Sequence, residues 1–148
     1  MEMASSSVQI LLVEDNPHDA ELTLRALKNR NLANHLIHVT DGQQAVDWLL
    51  GEGAYVGRDI KQHPKVILLD LKLPKLDGIE VLRIIRSTPE TRCIPVVMLT
   101  SSFQEQDVIE SYQLGVNSYI VKPVEFENFA SAVEQAGHYW LLINKEPR

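Results

Sequence analysis

Glu14, Asp15, Asp70, Thr100 and Lys122 each follow a short apolar run in this chain of 148 residues. Their side chains suit one another. Three carboxylates brought to one point repel unless a cation neutralises them. Carboxylate oxygens supplemented by waters suit Mg²⁺, a hard ion that keeps several waters. An aspartate in such a place is a nucleophile toward phosphorus. An ammonium and a hydroxyl nearby supply donors for phosphoryl oxygens. The chemistry these types compose is phosphoryl transfer onto a carboxylate, with Asp70 as acceptor and Lys122 and Thr100 as donors.

That chemistry requires the five residues to meet, so the elements before them decide the matter. Residues 10–13, 66–69, 94–99 and 119–121 are apolar runs with polar residues at their carboxyl ends, the first strand starting at Val8. Such runs read as strands of a parallel sheet buried on both faces. In open α/β sheets, ligands bind beyond the carboxyl ends of the strands. A weaker strand is expected at residues 36–39, where apolar residues alternate with His38.

Between the strands lie helical patterns. Asn16-Pro17 starts one, with Asn as cap and Pro in the first turn, and Ala20, Leu24 and Leu27 form its apolar stripe. Thr40-Asp41-Gly42 caps a second, whose Ala45, Val46, Leu49 and Leu50 face inward, with Trp48 as a packing aromatic. Asp77-Gly78 opens a third, ended by Thr88-Pro89-Glu90, and a fourth carries Val108, Ile109, Tyr112 and Leu114. A fifth begins at Val124-Glu125. Residues 51–64 form a polar connection longer than most. The βα order, repeated five times, predicts a doubly wound five-stranded parallel sheet, (βα)5, with helices on both faces and right-handed crossovers.

Composition excludes several classes. Hydrophobic residues make up 45% and charged residues 23%, as in a soluble globular domain. A net charge of −6 argues against general affinity for nucleic acid or anionic membranes. No apolar stretch reaches the length of a membrane helix, and residues 1–7 lack the apolar core of a signal peptide. Residues 1–7 are expected to be a disordered tail, residues 8–148 one domain, and the protein cytoplasmic. Cys93 opens an apolar run and reads as a small buried residue. The five histidines show no metal-ligand spacing, and His18 is expected to face solvent.

The chain resembles the response regulator receiver domains of two-component signalling. The resemblance rests on the acidic pair Glu14-Asp15, on Asp70 followed by Leu73-Pro74 and Asp77-Gly78, on Thr100, and on Lys122-Pro123. It implies the flavodoxin-like strand order 2-1-3-4-5, and phosphorylation of Asp70 by a phosphohistidine on a partner histidine kinase. It implies Mg²⁺ held by Glu14 or Asp15, Asp70 and the backbone carbonyl of Lys72. It also implies a cis Lys122–Pro123 bond, which proline tolerates, and a switch formed by Thr100 and Tyr119. Positions two after Asp70 and two after Thr100, here Lys72 and Ser102, tune hydrolysis in such domains. The activity implied is a phosphoacceptor switch with self-catalysed phosphotransfer and dephosphorylation, not a separate enzyme. The segment before His63-Pro64-Lys65 and the sequence Leu-Asp-Leu-Lys-Leu-Pro are similar to small regulators partnered with bacterial phytochromes.

Other readings fit less well. No GxxxxGK[ST], GxGxxG or GxSxG occurs. A haloacid-dehalogenase-type phosphatase resembles Asp-x-Asp, whereas Lys72 stands two after Asp70. Flavodoxin shares the strand order but has a hydroxyl-rich phosphate loop after its first strand, which is missing here. Finally, Tyr139-Trp140-Leu141-Leu142-Ile143 is too apolar for one helical face to bury against the core. A homodimer through the fourth helix, fifth strand and fifth helix is expected, with Tyr139, Trp140 and Ile143 at the interface.

Overall fold

A computed structural model describes residues 10–29, 35–102, 104–105, 108–109 and 113–135. Five strands, β1 (Ile10–Val13), β2 (Leu36–Val39), β3 (Val66–Asp70), β4 (Val96–Thr100) and β5 (Ser118–Val121), form one parallel sheet in the order β2-β1-β3-β4-β5. This is the doubly wound order expected. The helices are α1 (Pro17–Lys28), α2 (Gly42–Leu50), α3 (Gly78–Ser87) and a C-terminal helix, Phe126–Gln135. Of the further helix expected between β4 and β5, the described residues Gln104, Glu105, Val108 and Ile109 are helical. The tail at residues 1–7 and the run Tyr139–Ile143 lie outside the described residues.

Strand pleating sends alternate residues to opposite faces. Leu11, Val13, Ile67, Leu69, Val96 and Met98 pack with α2 and α3, among them Ala45, Trp48, Leu49, Val81, Leu82 and Ile85. Ile10, Leu12, Val66, Leu68, Val97 and Leu99 pack on the other face with Ala20 and Leu27 of α1 and Phe129 and Val133 of the C-terminal helix. The central strands are therefore buried on both faces, which is why they read as unbroken apolar runs.

The caps follow the sequence. Asn16, Asp41 and Asp77 each accept a hydrogen bond from the backbone N–H three residues on, at 2.9, 2.7 and 2.9 Å, and so satisfy otherwise orphaned helix donors. The polar connection after α2 is more ordered than its composition suggests. Arg58 lies 3.8 Å over the Trp48 ring and donates to the Trp48 carbonyl at 2.6 Å, folding residues 51–64 back onto α2.

Cys93 is exposed, contrary to expectation. Residues after α3 fold into successive turns, with Thr91 and Arg92 donating to the Thr88 carbonyl and Ile94 to Thr91. Thr91 and Ile94 turn inward while Arg92 and Cys93 face outward, so the thiol stays on the outer side of the turn. His18 faces solvent, as expected.

Candidate functional site

Sheet register gathers the site. Val13 pairs with Leu69, so the residues that follow them, Glu14 and Asp70, are neighbours. Asp70 pairs with Leu99 and Thr100 with Val121, which sets Thr100 and Lys122 beside Asp70 at the same sheet edge. Glu14 extends β1, donating its N–H to the Val39 carbonyl, and its side chain is fully buried. Asp15 comes one residue later and is exposed. Glu14, Asp15 and Asp70 each bring a carboxylate oxygen within 4.8 Å of the others, a group able to hold one metal ion. All-oxygen donors, two buried and one open to solvent, fit Mg²⁺.

Lys122 is the hub. Its ammonium donates to Glu14 Oε1 at 3.2 Å, to Asp70 Oδ2 at 3.0 Å and to Asp19 Oδ2 at 3.0 Å. The ammonium is thus shared among three carboxylates. Burial works to lower its pKa, but the hydrogen bond to Asp19 and the charges of Asp70 and Glu14 outweigh burial and raise it above the ordinary lysine value. Glu14 is pushed up to about 8, chiefly by burial and then by the hydrogen bond and charge of Asp70, against the opposing Asn16 N–H and Lys122. One proton and one ammonium together relieve the crowding of the carboxylates.

Asp19 is the site residue that the sequence did not reveal. It sits in the first turn of α1, one helical turn beyond the cap Asn16, and so on the face turned to the sheet edge. An acidic residue in a first helical turn is common for other reasons, so only the packing of α1 against the sheet discloses its partner.

Thr100 is fully buried, and its hydroxyl donates to the Ile120 carbonyl at 3.5 Å rather than to Asp70. Tyr119, on the same strand as Ile120, is half-buried against the α2–α3 side of the core. The Lys122–Pro123 bond is cis, as the resemblance implied. Lys72 follows β3, its ammonium 3.4 Å from Glu105. The loop holding it faces Asp15 across an open cleft of about 510 Å³. Glu14, Asp15, Asp70 and Lys122 therefore meet as one site. Thr100 stands beside them with its hydroxyl engaged elsewhere.

Comparison with known proteins agrees with this geometry. Residues 10–134 match the family model described as the response regulator receiver domain. The probable methanogenesis regulatory protein FilR2 of Methanothrix harundinacea is 43% identical over 139 residues, covering 93% of this chain and 86% of that protein. The bacteriophytochrome response regulator AtBRR superposes with a TM-score of 0.86 at 52% identity, covering 94% of this chain and 99% of that one. Response regulator Rcp1 of Synechocystis sp. is 42% identical over 132 residues, covering 89% of this chain and 88% of its own length. The Mn²⁺-bound form of Rcp1 superposes with a TM-score of 0.72 at 40% identity, covering 96% and 99% of the two chains. Receiver domains bind Mg²⁺ at an acidic pocket, the role that Glu14, Asp15 and Asp70 fit here. Among the described residues no helix is long and apolar enough to cross a membrane. By its sequence match, its sheet order and its carboxylate pocket, the chain belongs to the response regulator receiver domains of two-component signalling.

Proposed function

We propose that Asp70 accepts a phosphoryl group from a phosphohistidine of a sensor histidine kinase, of the phytochrome type, in the cytoplasm. The observation that carries this reading is Asp70 held between Lys122 at 3.0 Å and two further carboxylates. An Asp70 carboxylate oxygen attacks phosphorus. The P–N bond breaks, its electron pair leaves with the imidazole, and an acyl phosphate forms. Glu14 or Asp15, Asp70 and the Lys72 carbonyl would hold Mg²⁺, which would supply positive charge to the phosphoryl oxygens. Lys122 shifts its hydrogen bonds from the carboxylates to the new phosphoryl oxygens. Thr100 turns its hydroxyl from Ile120 to the phosphoryl group, and Tyr119 repacks on the freed side. Attack of water on phosphorus later returns aspartate and inorganic phosphate. Transfer and hydrolysis are both catalysed by the domain itself.

The signal leaves through a changed protein-interaction surface. The reading includes a homodimer through the fourth helix, β5 and the C-terminal helix, with Tyr139, Trp140 and Ile143 as contacts, and no nucleic-acid or membrane partner.

Incubation with acetyl phosphate and Mg²⁺, followed by intact-protein mass spectrometry, tests the acceptor. One phosphoryl group is expected on the wild type and none on Asp70→Asn. Equal labelling of both proteins would overturn the assignment.

A further inference from the structure

The loop from Leu71 to Asp77 carries Lys72 and walls the cleft opposite Asp15, yet it belongs to neither β3 nor α3. Its near end is fixed from two sides. Leu71 N–H donates to the Leu99 carbonyl at 3.1 Å, and Gly78 N–H donates to the Leu71 carbonyl at 2.8 Å. A Cβ on Gly78 would overlap the Asp70 carbonyl oxygen and lie 2.8 Å from Leu71 Cα. Its far end rests on a different element, the N-terminus of α2. Gly42 N–H donates to the Pro74 carbonyl at 3.3 Å. Lys75 adopts φ 69°, the left-handed region, and its ammonium lies 3.5 Å from Asp41 Oδ2. The Asp41 side chain is only 8% exposed, and its other oxygen caps α2 through Gln44 N–H at 2.7 Å.

The fit at Gly42 is closer still. A Cβ there would overlap the Leu76 carbonyl oxygen and lie 2.7 Å from Leu76 Cβ. Gly42 is not in a left-handed conformation, so the need for glycine is one of space. The loop backbone is seated directly on the helix end.

The geometry points to Asp41, Gly42 and Lys75 as positioning residues for the metal site: the end of α2 sets the height of the Leu71–Asp77 loop and thereby the placement of Lys72 against Asp15 and Asp70. This rests on the Mg²⁺ pocket described above. Leu71 is pinned to β4 and Gly78 to the backbone beneath it. Pushing Leu76 outward therefore strains a span of only a few residues that includes Lys72. Groups bonded directly to metal ligands are commonly worth ~10–100-fold in metal affinity, and Gly42 acts through the loop backbone that carries Lys72, at the lower end of that range.

The test is a Mg²⁺ titration read by the thermal midpoint and by calorimetry, with each variant first compared with wild type in chelator. Gly42→Ala is expected to weaken Mg²⁺ binding about tenfold or more. Lys75→Gln, at an exposed position that folding tolerates, is expected to weaken it about two- to threefold, since a solvated pair contributes little, and Lys75→Arg restores it. Val133→Ala removes buried methyl groups from the C-terminal helix, on the face of the sheet away from the loop. It is expected to lower the metal-free midpoint and leave Mg²⁺ affinity unchanged. Gly42→Ala and Lys75→Gln with wild-type Mg²⁺ affinity would overturn the inference, and so would Val133→Ala weakening Mg²⁺ as much as Gly42→Ala. If Gly42→Ala does not fold, Lys75→Gln with wild-type affinity is by itself sufficient to overturn it. Failure of the wild type to bind Mg²⁺ would instead count against the metal site.

Discussion

Asp19 and Asp70 share one ammonium, each 3.0 Å from Lys122 Nζ, although they are 51 residues apart in the chain. Asp70 is almost fully buried and Asp19 about a third exposed, so Asp19 stands toward the entrance. A negative group at the entrance slows the approach of an anionic phosphodonor. Asp19→Asn should therefore speed phosphorylation by acetyl phosphate, by roughly two- to fivefold at low ionic strength, with the gain shrinking as salt screens the charge. Rates measured across a salt series check this. A gain that ignores salt would mean that Asp19 acts by packing.

Besides its proposed chemical role, Lys122 has a structural one. Its removal leaves Glu14, fully buried, and Asp70, nearly so, without their cation. Breaking a buried pair by deleting one partner costs about 3–5 kcal/mol. Lys122→Ala should unfold at markedly lower denaturant than wild type in chelator, and millimolar Mg²⁺ should recover much of the loss. Denaturant midpoints with and without Mg²⁺ measure both effects.

The strands, and the meeting of Glu14, Asp15, Asp70 and Lys122 at one sheet edge, were legible in the sequence because burial on both faces leaves apolar runs, and the polar residues that follow each run mark that edge. What the sequence withheld depended on how elements pack. Glu14 and Asp15 are adjacent and chemically alike, yet one is sealed and the other open, since only Glu14 still hydrogen-bonds as part of the sheet ladder. Asp19 and the Asp41–Lys75 pair are ordinary helix-start and loop residues until tertiary packing joins them to partners. Cys93 misled because it adjoins the apolar run leading into β4 but lies on the outer side of the turn, where the chain faces inward only at Thr91 and from Ile94.

The raised pKa of Glu14 makes metal-free stability depend on pH. The folded protein keeps a proton on Glu14 up to about 8, whereas the unfolded chain releases it near 4.5. The stabilisation is fully present below about 4.5 and is lost as pH rises through about 8, at up to about 1.4 kcal/mol per pH unit. Mg²⁺ competes with that proton, so its affinity should rise over the same window. Urea unfolding in chelator at about pH 5.5 and 8.5 should show the loss in wild type and a flatter profile in Glu14→Gln. Parallel profiles would place the titrating group elsewhere.

The run Tyr139–Ile143 lies beyond the described residues, and its composition carries the dimer expectation. Burying one large apolar side chain yields about 1.5–3 kcal/mol, so two or three per subunit suffice after the association cost. Sedimentation should show dimers for wild type and monomers for Tyr139→Ala/Trp140→Ala/Ile143→Ala, with and without phosphodonor. A wild type that stays monomeric at tens of micromolar in both states would end this part of the reading.

Arg86 closes the sheet edge opposite the metal site. Its guanidinium donates to the Gly115 carbonyl at 2.8 and 3.0 Å, to Ile94 at 2.8 Å, to Arg92 at 3.1 Å and to Asn117 Oδ1 at 2.9 Å. Asn117 Oδ1 also accepts the N–H of Val96, the first residue of β4. One planar fork thus joins α3, the approach to β4 and the turn before β5. Burial lowers the Arg86 pKa from its ordinary value, yet guanidinium stays charged through the working pH range. A hydrogen bond to a charged group is worth about 1.5–3 kcal/mol and is expensive to leave half-made. Arg86→Met should cost about 2–4 kcal/mol on that basis. Lys at this position cannot reproduce five donors in a plane, so Arg86→Lys should recover less than half of the loss. Chemical denaturation of the three proteins measures this, and Arg86→Lys matching wild type would show that charge alone, not the fork, holds the junction.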